Sequence, residues 1–436
     1  MKSSFKQTFR ELKPFLALWL TQAFSGLGSA MTNFALVIWL YNRTGSALTT
    51  ALLTVCSYAP YVLMSIFAGA ISDRWNKRTV LLVCDTLAAV CTLVVLYLLR
   101  TEQLQAWHLY ALNALNGLMN TVQSPAADVA VTLLTPEKHY QKTSGLRSFS
   151  NSLVTILTPV FATALVTLLS VEAVIYFDLI TFAAAFLSLL LIIRIPEEQK
   201  PAEKKEGILA SAKTGLVWLS QNKGILWLIL FLAAINLIAS IYNAALPALV
   251  LSRPFGGEMV LGTLNASTGI AMMLGSLLVT VLPTPKSRVK TICNTLLISM
   301  GTENFLLSLG RSPWVWYVGS VLGWLVIPLM NANLDVVMRS RIPTNVQGRV
   351  YSVRNSLQFF TIPLGYLLGG ALVDHVFEPL MARTNSRLLL GLFGTGKGSG
   401  AAMLYMLIGF AGVAVCLVFR NIRHIRELED ERVTTE

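Results

Sequence analysis

The sequence predicts an all-α polytopic membrane protein of twelve transmembrane helices in two pseudo-symmetric six-helix bundles. Three observations carry this. Hydrophobic residues make up 54% of the 436 residues and charged ones 13%, with a mean hydropathy of +0.63, outside the range of soluble globular chains. Apolar runs long enough to cross about 30 Å of hydrocarbon as helices recur along the whole chain, without the ~10-residue alternation of membrane strands. Two short sequence patterns also recur, in the same order, in the two halves.

Turn residues and charges place the spans at roughly 14–41, 46–71, 79–99, 106–134, 148–170, 174–193, 224–251, 260–282, 291–309, 315–338, 350–373 and 401–419. The first run follows a basic stretch, MKSSFKQTFRELKPF, but is too long for the apolar core of a signal peptide and lacks a small-residue cleavage site. No cleaved leader is expected. With the N-terminus inside, 26 of the 34 Lys and Arg fall in inner segments, seven in outer loops, and Arg354 within a span. The positive-inside rule then sets both termini in the cytoplasm of a multi-pass cell-membrane protein.

Residues 1–193 are expected to form the first six-helix half and 224–419 the second, with 420–436 a cytoplasmic tail. The linker, 194–223, opens with RIPEEQKPAEKKEG, too charged for the bilayer. Its second part, ILASAKTGLVWLSQNKG, brings Ile208, Ala212, Leu216 and Leu219 near one helical face, with Trp218 close by. It reads as a helix on the inner leaflet or as a polar extension of the seventh span. The halves echo each other. NSLVTILTP (Asn151–Pro159) and NSLQFFTIP (Asn355–Pro363) share a pattern in the fifth span of each, and Asp128 and Asp335 each stand eight residues before a proline, Pro136 and Pro343. Matched order suggests duplication, the basis of alternating access in many secondary transporters.

All five cysteines, Cys56, Cys84, Cys91, Cys293 and Cys416, lie in apolar spans, so neither a disulfide framework nor a metal site is supported. The net charge of +12 follows the inner loops rather than a basic soluble module, so nucleic acid is not an expected partner. His108, His139, His375 and His424 lie far apart, and DDxxD, HExxH and G-x-x-x-x-G-K-[ST] motifs are absent from the sequence. A polytopic membrane enzyme and ATP drive are therefore disfavoured, and no cofactor is expected. A static scaffold would require neither matched halves nor the charged turn described next.

That turn is GAISDRWNKR, residues 69–78, between the second and third spans. It resembles the motif at this place in the major facilitator superfamily, with Gly69, Asp73, Arg74, Lys77 and Arg78 in its positions. Asn76 stands where glycine is usual and also tolerates a left-handed turn. RIPEEQK, QNKGILWLILFLA and QGRVYSVRNSLQFFTIPLGYLLGGALVD look similar to the macrolide-efflux-like branch of drug exporters. The fifth span reads TILTPVFATAL where a drug antiporter would show GPxxGG. The resemblance implies a major facilitator fold that exports hydrophobic or amphiphilic small molecules by alternating access, coupled to protons. An uptake carrier or lipid transporter of the same fold is the alternative. The turn would be an inner gate, Asp73 meeting the helix N-terminus near Gly348 and Arg78 pairing with Asp128, with the basic residues also touching membrane lipid.

The resemblance further implies that the first, fourth, seventh and tenth spans line a substrate cavity. They carry Gln22 and Asn33; Asn113, Asn116, Asn120 and Gln123; Asn236, Tyr242 and Asn243; and Asn331 and Asn333. Asn113, Asn116 and Asn120 share one helical face, which belongs inside because lipid-facing amides are costly. Acids within spans are functional candidates. Glu303, nearest mid-membrane, leads as proton carrier, followed by Asp128 and Asp178. Asp85 and Asp178 lie on spans that the resemblance makes peripheral and are expected in structural pairs; Asp335 is expected to pair with Arg339 or Arg354. Gly365, Gly369 and Gly370 form a small-residue face for a neighbouring helix, and Pro363 permits a kink. In the outer segment 374–400, LLLGLF reads as a short surface helix and GTGKGSG as a flexible tether.

Overall fold

The computed structural model describes residues 2–74, 76–136, 139–196 and 208–430, with side chains described throughout these ranges except at 2–9, 65–74, 140–142, 144–145, 148, 208–212, 280, 339, 344–349, 352 and 429–430. Among the described residues there is no strand. Ten helical stretches there are long and apolar enough to cross a membrane, which makes this a multi-pass membrane protein. The expected fourth and ninth spans form helices of 29 and 22 residues, Ala106–Leu134 and Arg288–Leu309, that are long enough but more polar.

The chain divides into two compact units, 1–40 with 56–205, and 41–55 with 206–436. The first is built from α1 (Lys2–Thr44, up to residue 40), α2 (Ala47–Arg74, from residue 56), α3 (Lys77–Arg100), α4 (Ala106–Leu134), α5 (Tyr140–Leu168) and α6 (Val171–Leu187). Phe15 and Leu18 of α1 pack with Leu81 of α3, Ala130 of α4 and Leu189 beyond α6. Further along α1, Leu27, Met31 and Ala35 meet Ala162 of α5 and Val174 of α6. Two glycines permit backbone contact. A Cβ on Gly28 of α1 would stand 2.8 Å from Asp178 Cα, and one on Gly117 of α4 would collide with the Ser57 carbonyl oxygen.

Asn76 does not hold a left-handed turn. With φ −58° and ψ 123° it is the N-cap of α3, accepting from the amides of Arg78 (2.9 Å) and Thr79 (3.2 Å). The expected Arg78–Asp128 pair is also not formed. After α6 a π-helical turn, Ser188–Ile192, ends the span, and its last carbonyls have no amide ahead of them in the helix. Arg78 supplies the donors, Nε to Leu189 O (3.1 Å) and Nη2 to Leu190 O (2.6 Å), a cation at a helix C-terminus. Asp128 instead accepts from Arg147 Nη2 at 2.6 Å.

The second unit contains residues 41–55, α7 (Ile208–Gln221), α8 (Lys223–Ser252), α9 (Glu258–Val281), α10 (Arg288–Leu309), α11 (Pro313–Leu325), α12 (Ile327–Arg341), α13 (Thr344–Phe359), α14 (Thr361–Leu372), the short α15 (Glu378–Arg383) and α16 (Arg387–Phe393), α17 (Ser399–Asn421) and α18 (Arg423–Asp430). α8 is its axis, buried along much of its length. Gly365 and Gly369 of α14 lie on it, where Cβ atoms would come within 2.5 Å of Ser240 Cβ and 2.9 Å of Ile241 Cα. The expected tenth and eleventh spans are each two helices in line, interrupted at Val326 and Phe360. Pro328 and Pro363 explain both breaks, since neither offers an amide to the carbonyl four residues earlier, Trp324 or Phe359.

In the linker, α7 forms and packs on α13, with Leu219 buried and Leu216 exposed. LLLGLF lies within the helix α16. GTGKGSG is not a free tether. Gly394, Gly396 and Gly398 take φ of +78°, +81° and +86° in a tight turn, and Glu378 Oε1 accepts from the amides of Gly398 (3.0 Å) and Ala401 (3.1 Å), fastening it to the start of α17.

Candidate functional site

A cavity of about 390 Å³ lies inside the first unit, walled by α1, α3, α4 and α6 with Ser57 of α2. Polar side chains at helical spacing build it. Gln22, Ser29 and Asn33 come from α1, and Asn113, Asn116, Asn120 and Gln123 from α4. The asparagine face of the fourth span therefore points inward, together with both amides expected on the first. Asn113 returns its Nδ2 to Leu109 O (2.9 Å) in its own helix.

Two carboxylates complete the wall. Asp85 of α3, 8% exposed, accepts from Gln123 Nε2 at 2.6 Å and Gln22 Nε2 at 3.2 Å. Asp178 of α6, 4% exposed, accepts from Ser29 Oγ at 3.0 Å. These three donors are neutral, and among the described residues lining the cavity there is no Lys, Arg or His. Asp85 and Asp178, expected in structural pairs, have neutral partners. Both are held by amides or hydroxyls beside an open space. Asp85, visible in the sequence as an acid within an apolar run, thus lines the cavity as well.

The second unit places its candidates differently. Tyr242 of α8 is buried. Its hydroxyl donates to Glu303 Oε1 at 2.6 Å, and Trp324 Nε1 donates to the same oxygen at 2.9 Å. Glu303 is 5% exposed, and α11 presses close at Gly323, where a Cβ would stand 2.7 Å from Oε2. Tyr405 donates to Tyr242 O (2.8 Å), and the two rings meet edge-on at 5.1 Å. The donors to this carboxyl, Tyr242 and Trp324, are both neutral. The other amides of this unit are dispersed. Asn243 Nδ2 bonds Ala239 O (2.9 Å), Asn236 is half-buried, Asn331 is exposed, and Asn333 is buried with its Oδ1 accepting from Arg288 Nη1 at 3.1 Å. Asp335 is exposed, while Arg354 donates to Gln358 (2.9 Å) and lies over the Tyr351 ring at 5.8 Å.

Of the charged turn, Lys77 and Arg78 open α3. Gly69, Asp73 and Arg74 belong to the last turns of α2, and their side chains, like Gly348, lie outside the described residues.

The same architecture occurs in known transporters. The chain is 22% identical over 370 residues to macrolide efflux protein A of Streptococcus pyogenes, covering 83% of this chain and 90% of that protein. It is 23% identical over 396 residues to the multidrug efflux pump Tap of Mycolicibacterium fortuitum, covering 87% and 94%. Among solved structures, the nucleoside transporter NupG superposes with a TM-score of 0.66 at 13% identity, over 93% of this chain and 98% of that one. A bacterial homologue of the human lysosomal transporter Spinster gives 0.60 at 16% identity, over 97% and 94%. Residues 18–366 match the Major Facilitator Superfamily, which is most of the chain. With the helical units already described, this establishes that the chain is a transporter belonging to the major facilitator superfamily.

Proposed function

We propose that the protein exports amphiphilic small molecules that carry a positive charge, driven by the proton gradient, from a cell membrane in which both its termini are cytoplasmic. The observation that supports this most is the cavity in the first unit, where Asp85 and Asp178 stand among amides and hydroxyls with no basic side chain in the described lining. Such a wall attracts a protonated amine and offers hydrogen bonds to hydroxyl or carbonyl groups around it, while rejecting anions. The names of the efflux relatives agree with the outward direction. Glu303, enclosed by Tyr242 and Trp324, is the residue for the coupling proton. The two six-helix halves, 1–193 and 224–419, would alternate around their sites.

Accumulation of a radiolabelled macrolide and of tetraphenylphosphonium in deletion and overexpression strains tests the reading. Export requires that overexpression lower accumulation and that a protonophore abolish the difference. Overexpression that raises accumulation identifies an uptake carrier. Accumulation unchanged for every cation, with a fluorescent lipid moved across the bilayer, identifies a lipid transporter.

A further inference from the structure

Taking the cavity of the first unit as the substrate site proposed above, we infer that it is built for a dication, a chain-like molecule with an ammonium group at each end of an apolar stretch. Two carboxylates belong to the described lining, and each is tied to a different turn of α1, Asp85 through Gln22 (3.2 Å) and Asp178 through Ser29 (3.0 Å). Gln22 and Ser29 lie two turns apart on one face of a helix that rises about 1.5 Å per residue, so the two acids stand roughly 10 Å apart along the cavity.

The space between them is open. Gly26 of α1, one turn from either tie, lines the cavity, and a Cβ built on it would meet nothing within 4 Å. Ala88 and Ala89 of α3, one turn on from Asp85, line it with small apolar side chains. α4 runs the opposite way to α1, because its Ala130 packs with Phe15 and Leu18 while Gln123, nearer its start, shares Asp85 with Gln22. Asn120 and Asn116 therefore step from the level of Asp85 toward that of Asp178. A chain of methylene groups fits the passage, with a charge at each end and amides alongside.

At the Asp178 end, Thr32 lines the cavity, is 6% exposed, and turns its Oγ1 toward Asp178 without meeting any group in hydrogen-bonding geometry. A buried hydroxyl left in that state costs free energy that an ammonium donating to it would recover. A monocation also satisfies one carboxylate and leaves the other without a counter-ion. A dication satisfies both, and its second contact is made within a complex already formed.

The test uses purified full-length protein in lipid nanodiscs and isothermal titration calorimetry with three probes. These are hexamethylenediamine, hexylamine with the same chain and a single charge, and ethylenediamine with two charges too close together to reach both acids. Hexamethylenediamine should bind about tenfold tighter than either of the others. D85N and D178N should each bring it to the affinity of hexylamine, and G26L, which fills the passage and leaves both acids in place, should do the same. Equal binding of hexamethylenediamine and hexylamine by the wild-type protein, a comparison that needs no variant to fold, overturns the inference and leaves the export of single cations standing. An advantage that survives in both D85N and D178N overturns it as well. Binding of none of the three amines removes the cationic reading of the cavity together with the inference.

Discussion

Tyr242 and Glu303, on α8 and α10, are joined by a 2.6 Å hydrogen bond in the interior of the second unit, with Trp324 of α11 donating to the same carboxyl oxygen. A single protonatable oxygen therefore ties three helices together. E303Q should abolish uphill export while leaving downhill exchange, measured in proteoliposomes with and without a pH gradient. Normal uphill transport by E303Q would move the coupling role to Asp178 or Asp128. Y242F should retain transport but lower thermal stability by about 1–3 kcal/mol, the consequence of removing one buried partner.

Charge selectivity should reside in α3. D85N keeps the shape of the side chain and removes its charge, so it should raise KM for a cationic substrate by about tenfold while changing that of a neutral one little, the effect of losing roughly 1.4 kcal/mol of favourable interaction. Equal losses for both would assign Asp85 to packing. N116L should reorder the preference among transported compounds at unchanged protein level.

Arg78 and Asp128 should be energetically independent. Their charge-reversed pair, R78D with D128R, is expected to rescue nothing, because Arg78 serves the carbonyls of Leu189 and Leu190 and Asp128 serves Arg147. R78K should lose most of the benefit, since an ammonium lacks the guanidinium fork. The Asp128–Arg147 pair is open to solvent on both sides, 59% and 43% exposed, so a double-mutant cycle should give a coupling of about 1 kcal/mol or less.

Gly117 should tolerate no side chain. The atom facing its missing Cβ is the backbone oxygen of Ser57, which cannot rotate away as a side chain could. G117A should lower stability by about 1–3 kcal/mol in a thermal-shift assay, whereas G26A, with no atom within 4 Å, should not move it.

Much of this fold was legible because lipid leaves the chain few options. Runs of apolar residues can only be helices, and a stripe of asparagines such as Asn113, Asn116 and Asn120 can only turn inward. The glycine face of α14 was legible for the same reason, since small residues mark close approach. What escaped were relationships set by distant backbone. Arg78 chose carbonyls that a π-helical turn left open, Asp128 chose Arg147, and Tyr242 turned its hydroxyl to Glu303. None of these choices leaves a local pattern in sequence. Asp85 and Asp178 were visible as acids in apolar spans, but only the packing of α1 and α4 against them showed which side they faced.

The polarity of α4 and α10 has a bearing on how the chain enters the bilayer during synthesis. Each is long enough to span, yet each carries polar groups, the amides of the cavity in one and Glu303 in the other. Alone in lipid those groups would have no partners. Gln123 of α4 finds one in Asp85 of α3, and Glu303 of α10 finds donors in Tyr242 of α8, already made, and Trp324 of α11, still to be made. Insertion of α4 should therefore draw on the helix just before it, and that of α10 on a helix that follows. A chain cut after residue 310 should leave its ninth span incompletely integrated, and one extended through α11 should not.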